Sequence, residues 1–294
     1  MRAAVVRAFG GPEVVEVLDA EMPEPAAGQV RIKVTAAALN PIDAAIRSGA
    51  FGGDDQLGLG WDVAGTVEAT GDDAGVWNTG DQVVALDYSM AKPLGTHAEY
   101  VVVDAESVAK APTTVDAVAA ATLPLNALTA AQALDVLELS SGQSLLVTGA
   151  AGALGGFAVQ LATHRGIAVT GLARKSDEGL VRSLGATGFT TDGAGAYDAV
   201  LDAAVLGEAA LAWVRDTGAY VGVIPGAEPA SVREVRTAAV LVRPDGARLA
   251  EMARLVDEGV LTLRVAETFA LDDAAKAHAR LAEGGLRGRL VLVP

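Results

Sequence analysis

The stretch Val147-Thr148-Gly149-Ala150-Ala151-Gly152-Ala153-Leu154-Gly155-Gly156 limits what this chain can fold into more than any other. Glycine recurs at every third position, at 149, 152 and 155, between an apolar segment, SLLVT, and a helix-like one, LGGFAVQLATHRG. In that context each glycine has a separate task. Gly149 permits the tight turn out of a strand, Gly152 lets the backbone approach a pyrophosphate, and Gly155 lets helix and strand pack closely. Ala151, Ala153 and Leu154 complete the turn, and the amides of the helix N-terminus face the phosphates. Three spaced glycines alone could be a tight turn in an Ala/Gly-rich chain. The strand before them, the helix after them and the alternation that follows make them a dinucleotide site.

That alternation runs on through IAVTGLA (strand), DEGLVRSLGA (helix), YDAVLDAA and AYVGVIPG (strands) and a closing helix, DGARLAEMARLVDEG. Strand alternating with helix implies a doubly wound parallel sheet. The first hundred or so residues differ: RAAVVRA, VVEVLDA, QVRIKVTAAAL, WDVAGTVEAT, DQVVALDY and HAEYVVVDA are Val-rich and separated by Gly, Asp and Pro turns, as in a β-rich domain. After the alternating region the tail gives two more strands, LRVAETFA and GRLVLV, around a helix, and they have no place in a completed parallel sheet. The expected fold class is therefore α/β: a Rossmann doubly wound parallel sheet over 116–258, inserted into a β-rich catalytic domain formed by 1–115 and 259–294.

A formal net charge of -15 repels phosphate backbones and anionic membranes, so neither nucleic acid nor membrane is an expected partner. A small-molecule substrate is. No apolar run is long enough to span a bilayer, the start does not read as a signal peptide, and the expected location is cytoplasmic. The chain has no cysteine, and its three histidines, His97, His164 and His278, have no ligand-like spacing, so no metal site is expected. His164 and His278 sit in helical stretches read as solvent-facing. His97, at a strand start, reads as structural or surface.

The second strand of the alternating region specifies the dinucleotide. An NAD site needs a carboxylate at its tip for the ribose hydroxyls. Here the strand ends in Arg174-Lys175-Ser176, with Arg174 at 174 − 149 = 25 positions past the first glycine. A guanidinium, an ammonium and a hydroxyl suit a 2′-phosphate, and basic residues at a helix start oppose its dipole, so the expected cofactor is NADPH.

Several further motifs run the length of the chain: Leu39-Asn40-Pro41-Ile42-Asp43 with Arg47-Ser48-Gly49, Gly60-Trp61-Asp62-Val63-Ala64-Gly65, Gly80-Asp81-Gln82-Val83, Gly95-Thr96-His97-Ala98-Glu99-Tyr100, Leu123-Pro124-Leu125 and Gly288-Arg289-Leu290-Val291-Leu292. Together with the glycines they make the chain resemble the medium-chain dehydrogenase/reductase superfamily, in its zinc-independent quinone oxidoreductase (zeta-crystallin-like) branch. The resemblance implies a GroES-like catalytic domain and NADPH-dependent hydride transfer to a quinone or an α,β-unsaturated carbonyl. The alternatives are an enoyl or alkenal reductase of a biosynthetic pathway and a low-turnover NADPH-binding sensor. Zinc-dependent members carry Cys where Asn40 stands and Gly-His-Glu where Gly60-Trp61-Asp62 stands, so the Lewis acid that polarises an alcohol is not expected.

Carried over, the resemblance puts Asn40 in the cleft, Thr129 near the nicotinamide, and Val223, Ile224 and Gly226 beside it. Family members often have a Tyr shortly after Arg-x-Gly; the aromatic here is Phe51, followed by the short acidic loop between Gly53 and Leu57. Asn40 also reads as a turn residue before Pro41. Asp43 reads as structural, paired with Arg47 four residues on. Tyr88 is either a proton donor to a developing enolate or an ordinary loop tyrosine. Arg289 either reaches the cofactor cleft or supports the sheet edge. Finally, Val232–Leu241 reads as the last strand of the parallel sheet, whose uncovered edge would pair across a two-fold axis in a homodimer.

Overall fold

The computed structural model describes residues 1–53, 56–88, 90 and 92–294. In chain order the elements are β1 (Arg2–Val6), β2 (Val15–Asp19), β3 (Gln29–Leu39), α1 (Pro41–Arg47), β4 (Leu57–Gly58), β5 (Asp62–Thr70), β6 (Gln82–Leu86), β7 (Tyr100–Asp104), β8 (Val108–Lys110), α2 (Ala117–Ala120) and α3 (Pro124–Leu137). Then come β9 (Ser144–Thr148), α4 (Ala153–His164), β10 (Ala168–Leu172), α5 (Glu178–Ser183), β11 (Gly188–Thr190), β12 (Tyr197–Asp202), α6 (Glu208–Leu211), β13 (Val214–Gly222) and β14 (Arg236–Ala239). The chain ends with α7 (Gly246–Asp257), β15 (Val265–Ala270), α8 (Ala274–Glu283) and β16 (Arg289–Val293). None of the helices among the described residues is long and apolar enough to cross a membrane.

The chain divides into two compact units. The first comprises Met1–Leu125, Pro244–Asp257 and Leu263–Pro294. Its larger sheet runs β15-β16-β3-β5-β6-β8 with β7 also paired to β3, and β1 lies between β2 and β4 in a smaller one. Along β3 the buried positions Val30, Ile32 and Val34 alternate with outward ones, the period-2 pattern of a sheet with one packed face. They meet Val63, Val67, Val83, Val101 and Val103 in a core made mainly of valine, with alanine filling most of the rest, which suits a pleated surface and needs few aromatics.

The second unit comprises Asn126–Arg243 and Glu258–Thr262. Its six strands are parallel, in the order β11-β10-β9-β12-β13-β14. The order reverses at β9, which is flanked by β10 and β12, so the crevice beyond the carboxyl ends of β9 and β12 is the topological switch point where such sheets bind ligands.

Three expectations need correction. The helix expected to close the Rossmann region, α7, groups with the first unit and packs on β8; a Cβ at Gly246 would run into the Val108 carbonyl, and only glycine lets the helix start so close to that strand. The strand read over Val232–Leu241 shrinks to Arg236–Ala239. Arg233 and Glu234 adopt left-handed φ values of 53° and 58°, and a turn closes from Val235 N to Val232 O, which breaks the extended run. β14 does form one edge of the sheet. His278, read as solvent-facing, is fully buried because α8 packs that face toward β2 and β16; His164 is exposed.

Candidate active site

The glycine turn has the geometry a pyrophosphate site demands. Gly149 leaves β9 with φ 60°, and Gly152 N donates to Gly149 O at 2.8 Å. Gly152, extended at φ −72° and ψ 175°, is the N-cap of α4, so Ala153, Leu154 and Gly155 form the first turn, whose amides have no intrahelical acceptor. A Cβ on Gly155 would collide with the Gly149 carbonyl and stand 3.0 Å from Ala150 Cα; one on Gly152 would stand 3.1 Å from Gly149 O. The helix start therefore lies against the turn as only a chain without side chains at these positions allows. Ala151 is buried beneath it.

Two more groups of candidates follow the carboxyl ends of parallel strands, β10 and β13. After β10, Arg174, Lys175 and Ser176 are all exposed. The Arg174 side chain has no hydrogen bond or ion pair among the described residues, whereas Lys175 pairs with Glu178 and sits 5.8 Å above the Phe189 ring. The basic cluster is thus split: Arg174 is uncommitted and Lys175 is shared with a carboxylate. After β13 come Val223, half-buried, Ile224, 48% exposed, and Gly226, at φ 82°. Thr129 is buried in α3.

Sequence reading missed one residue here. Asp202 ends β12 opposite Thr148 in register, is completely buried, and accepts from Thr148 Oγ1 at 2.6 Å, Gly207 N at 2.8 Å and the Tyr220 hydroxyl at 2.8 Å. Burial, and then the hydrogen bond to Asp202, hold the Tyr220 phenol well above its ordinary range. The signal was in YDAVLD: a carboxylate closing an apolar strand must find donors inside the protein.

In the first unit the candidates fall into a closed polar network. Asn40 caps α1 in a capping box with Asp43, whose carboxylate accepts from Asn40 N at 2.7 Å and Gly60 N at 2.8 Å. The expected pairing of Asp43 with Arg47 does not occur: the Asp43 oxygens turn instead to the backbone amides of Asn40 and Gly60. Arg47 is instead buried, and its Nε and Nη1 have no hydrogen-bond partner among the described residues. The Asn40 amide nitrogen donates to Asp62 Oδ2 at 2.8 Å and to Ala38 O at 3.2 Å. Asp62 Oδ1 accepts from Leu125 N, in the first turn of α3, at 2.6 Å. Burial pushes the Asp62 carboxyl up to about 7 against the opposing charge of Arg289. Arg289 donates to the Leu39 carbonyl, and its guanidinium lies within the electrostatic reach of Asp62 and Asp43. His97 Nε2 is 3.2 Å from Ala38 O, and burial lowers its pKa; the His278 ring, 6.4 Å away centre to centre, is pushed down to about 3, first by burial.

Asn40 and Arg289 are thus buried supports of this unit, with both Asn40 amide protons occupied, and neither presents a polar face at the surface. Tyr88 is half-buried, its ring 4.7 Å from that of Trp61 at 55°, and its hydroxyl makes no hydrogen bond among the described residues. Phe51 is 50% exposed. The acidic part of the loop between Gly53 and Leu57, Asp54 and Asp55, lies outside the described residues.

Zinc does not fit this donor set. Where zinc-dependent relatives place a thiolate and an imidazole stand an amide committed to Ala38 and Asp62 and a buried indole, neither of which ligates zinc. A dinucleotide phosphate does fit the glycine cradle.

The chain matches the family described as "Alcohol dehydrogenase GroES-like domain" over residues 26–113 and that described as "Zinc-binding dehydrogenase" over residues 177–292. It is 30% identical to a quinone oxidoreductase of Pseudomonas aeruginosa, over 98% of this chain and 98% of that one. It is 35% identical to an NADPH-dependent alkenal/one oxidoreductase, chloroplastic, of Arabidopsis thaliana, over 81% of this chain but only 66% of the relative's length. Among solved structures, the quinone oxidoreductase from Coxiella burnetii superposes with a TM-score of 0.92 at 30% identity, covering 100% of this chain and 99% of that one.

Proposed function

Since the chain belongs to the medium-chain dehydrogenase/reductase superfamily, in its quinone oxidoreductase-like branch, we propose that it is a zinc-independent, NADPH-dependent reductase of quinones or α,β-unsaturated carbonyls. The observation that carries this reading is the glycine cradle at the switch point, with the uncommitted Arg174 guanidinium at the next strand end. When bound, NADPH supplies a hydride. Gly149, Ala151, Gly152, Ala153, Leu154 and Gly155 would hold its pyrophosphate by close approach and helix-start amides. Arg174, with Lys175 and Ser176, would bind the 2′-phosphate by charge-assisted hydrogen bonds. Thr129, Val223, Ile224 and Gly226 would serve the nicotinamide end. Asn40 and Arg289 would act indirectly, through Asp62 and the Leu39 carbonyl, and Tyr88, whose hydroxyl makes no hydrogen bond among the described residues, would deliver a proton to a developing enolate or hydroquinone anion.

In this reading the part formed by 1–115 and 259–294, with α7, carries the acceptor, and the rest of 116–258 carries the cofactor. The working form is a cytoplasmic homodimer. Conjugated acceptors follow from the absence of zinc ligands, because they take up hydride without a metal to polarise them. The test is NADPH consumption at 340 nm against benzoquinones, naphthoquinones, enones and enoyl thioesters, with NADP+ plus alcohols as the reverse control. Turnover with a quinone or an enone, faster with NADPH than NADH, is expected. Turnover confined to alcohols, or tight NADPH binding with no acceptor reduced, would overturn the proposal.

A further inference from the structure

The Asp202 network has a use that burial alone does not explain. Four hydrogen bonds tie three strand ends together, and their directions are fixed. Ala204 N donates to Thr148 Oγ1 at 2.9 Å, so the Thr148 hydroxyl must spend its proton on Asp202 Oδ1. Gly207 N and the Tyr220 hydroxyl both donate to Oδ2. The three groups that hydrogen-bond the carboxylate are all donors, and Asp202 has no ion pair among the described residues. A buried carboxylate without a cation is costly to desolvate, and an asparagine would be cheaper. An asparagine oxygen could still accept from Gly207 N and Tyr220, but its NH2 would take the acceptor from the Thr148 hydroxyl proton, so the Thr148 link in its observed direction needs the second carboxylate oxygen.

The members of the set sit where a dinucleotide would bind. Thr148 is the residue before Gly149, and Asp202 and Thr148 are register partners across the switch point. The segment after Asp202 is strained: Val205, β-branched, is at φ 57°, and Gly207 at φ 60° opens α6. A Cβ on Gly149 would touch Ala204 Cβ at 3.3 Å and Ala204 N at 3.4 Å, so this segment forms one wall of the glycine turn.

We propose that Asp202 is a positioning residue for the cofactor: acting through Thr148 Oγ1 and the Gly207 amide, it clamps the Ala203–Gly207 segment against the Gly149 turn and holds the turn in its phosphate-accepting shape. The inference rests on the dinucleotide reading above and adds a residue that touches no ligand. Asp202→Asn keeps the volume and removes one acceptor. Thr148→Val keeps the volume and removes the relay while leaving Asp202 in place; Thr148→Ser restores the hydroxyl.

The experiment measures NADPH dissociation constants by nicotinamide fluorescence, and KM and kcat with whichever acceptor the panel yields, on protein verified as folded by circular dichroism. For Asp202→Asn and Thr148→Val, the cofactor Kd and KM rise about tenfold or more, the loss expected for a hydrogen bond to a charged group, while kcat at saturating NADPH and the acceptor KM stay within about twofold. Thr148→Ser returns to the wild-type Kd. Because Thr148→Val disturbs no charge, it decides the matter if Asp202→Asn does not fold. Unchanged NADPH affinity in folded Thr148→Val, or a loss of kcat equal to the loss of affinity, overturns the positioning role. Wild-type protein that binds neither NADPH nor NADH overturns the dinucleotide reading itself, and this inference with it.

Discussion

Asp62 makes a prediction about pH that can be worked through. Its carboxyl is fully buried, faces Arg289 on β16, Asp43 on α1, the Asn40 amide and the Leu125 N–H, and is pushed up to about 7, mainly by burial. An aspartate in the unfolded chain ionises near 3.9. Between these values the folded state holds a proton that the unfolded state has released, so stability falls as pH rises through this window and levels off above about 7. From pH 5.5 to 8.5 the linkage relation gives a loss of about 2 kcal/mol from this one group. Asp62→Asn cannot titrate. It loses an acceptor, which costs about 1–3 kcal/mol at every pH. The variant should therefore be less stable than wild type at pH 5.5, and the gap should close by about 2 kcal/mol at pH 8.5. Urea unfolding followed by tryptophan fluorescence at four or five pH values reads this directly. A gap that is flat with pH, or that widens toward pH 8.5, would mean the carboxylate is ionised in the fold at pH 5.5 and that Arg289 outweighs burial.

The remaining predictions concern the cofactor, the metal and assembly. Arg174→Ala should reduce the preference for NADPH over NADH about tenfold or more, since the lost contact is charge-assisted; equal dissociation constants for the two cofactors in wild type would refute the 2′-phosphate assignment. Gly155→Val should abolish dinucleotide binding by calorimetry while the first unit stays folded, because its Cβ would enter the Gly149 carbonyl; retained affinity would show that the turn does not bind phosphate. Elemental analysis should find no stoichiometric zinc, and EDTA should leave turnover intact. Light scattering should give twice the chain mass; a value near 29.6 kDa would refute the homodimer.

What could be read from the sequence followed the range of the interactions involved. The glycine turn was legible because its constraints are local: Gly155 must clear a carbonyl six residues back, and the spacing of three records that. The Val-rich strands were legible from period 2 for the same reason. The shortened edge strand was not, because the left-handed conformations of Arg233 and Glu234 are imposed by tertiary partners. Arg233 Nη1 donates to Val214 O and Nη2 to Leu211 O, while Thr217 N takes the Arg233 carbonyl. The expected Asp43–Arg47 pair does not form; the carboxylate turns instead to a non-local donor, Gly60 N. His278 lies on a helix whose polar residues suggest an exposed face; only packing toward β2 and β16 makes that position interior.

Asp62 and Asp202 play the same part in the two units, one set by non-local partners that local sequence does not show. Each is a fully buried carboxylate at a strand terminus, and each joins a turn amide to a side chain from another element: Leu125 N and Asn40 for Asp62, Gly207 N and Thr148 for Asp202. An ionised carboxylate can accept from two directions without offering a proton, so it fixes the geometry of two chain segments at once; for Asp62 that holds above about pH 7. At the Asn40 position this has a chemical consequence. The Asn40 amide protons are bound to Ala38 and Asp62, so the position holds the α1 start and the β5 start together rather than ligating a cation. This agrees with the proposed zinc-independent reduction of an acceptor that is already electrophilic. Restoring a ligand set by Asn40→Cys and Trp61→His should therefore not confer zinc-dependent alcohol oxidation, because Asp62 would lose its Asn40 partner and the α1 start its cap. Stoichiometric zinc and alcohol turnover in that double variant would show that the network is dispensable and that the missing ligands alone set the chemistry.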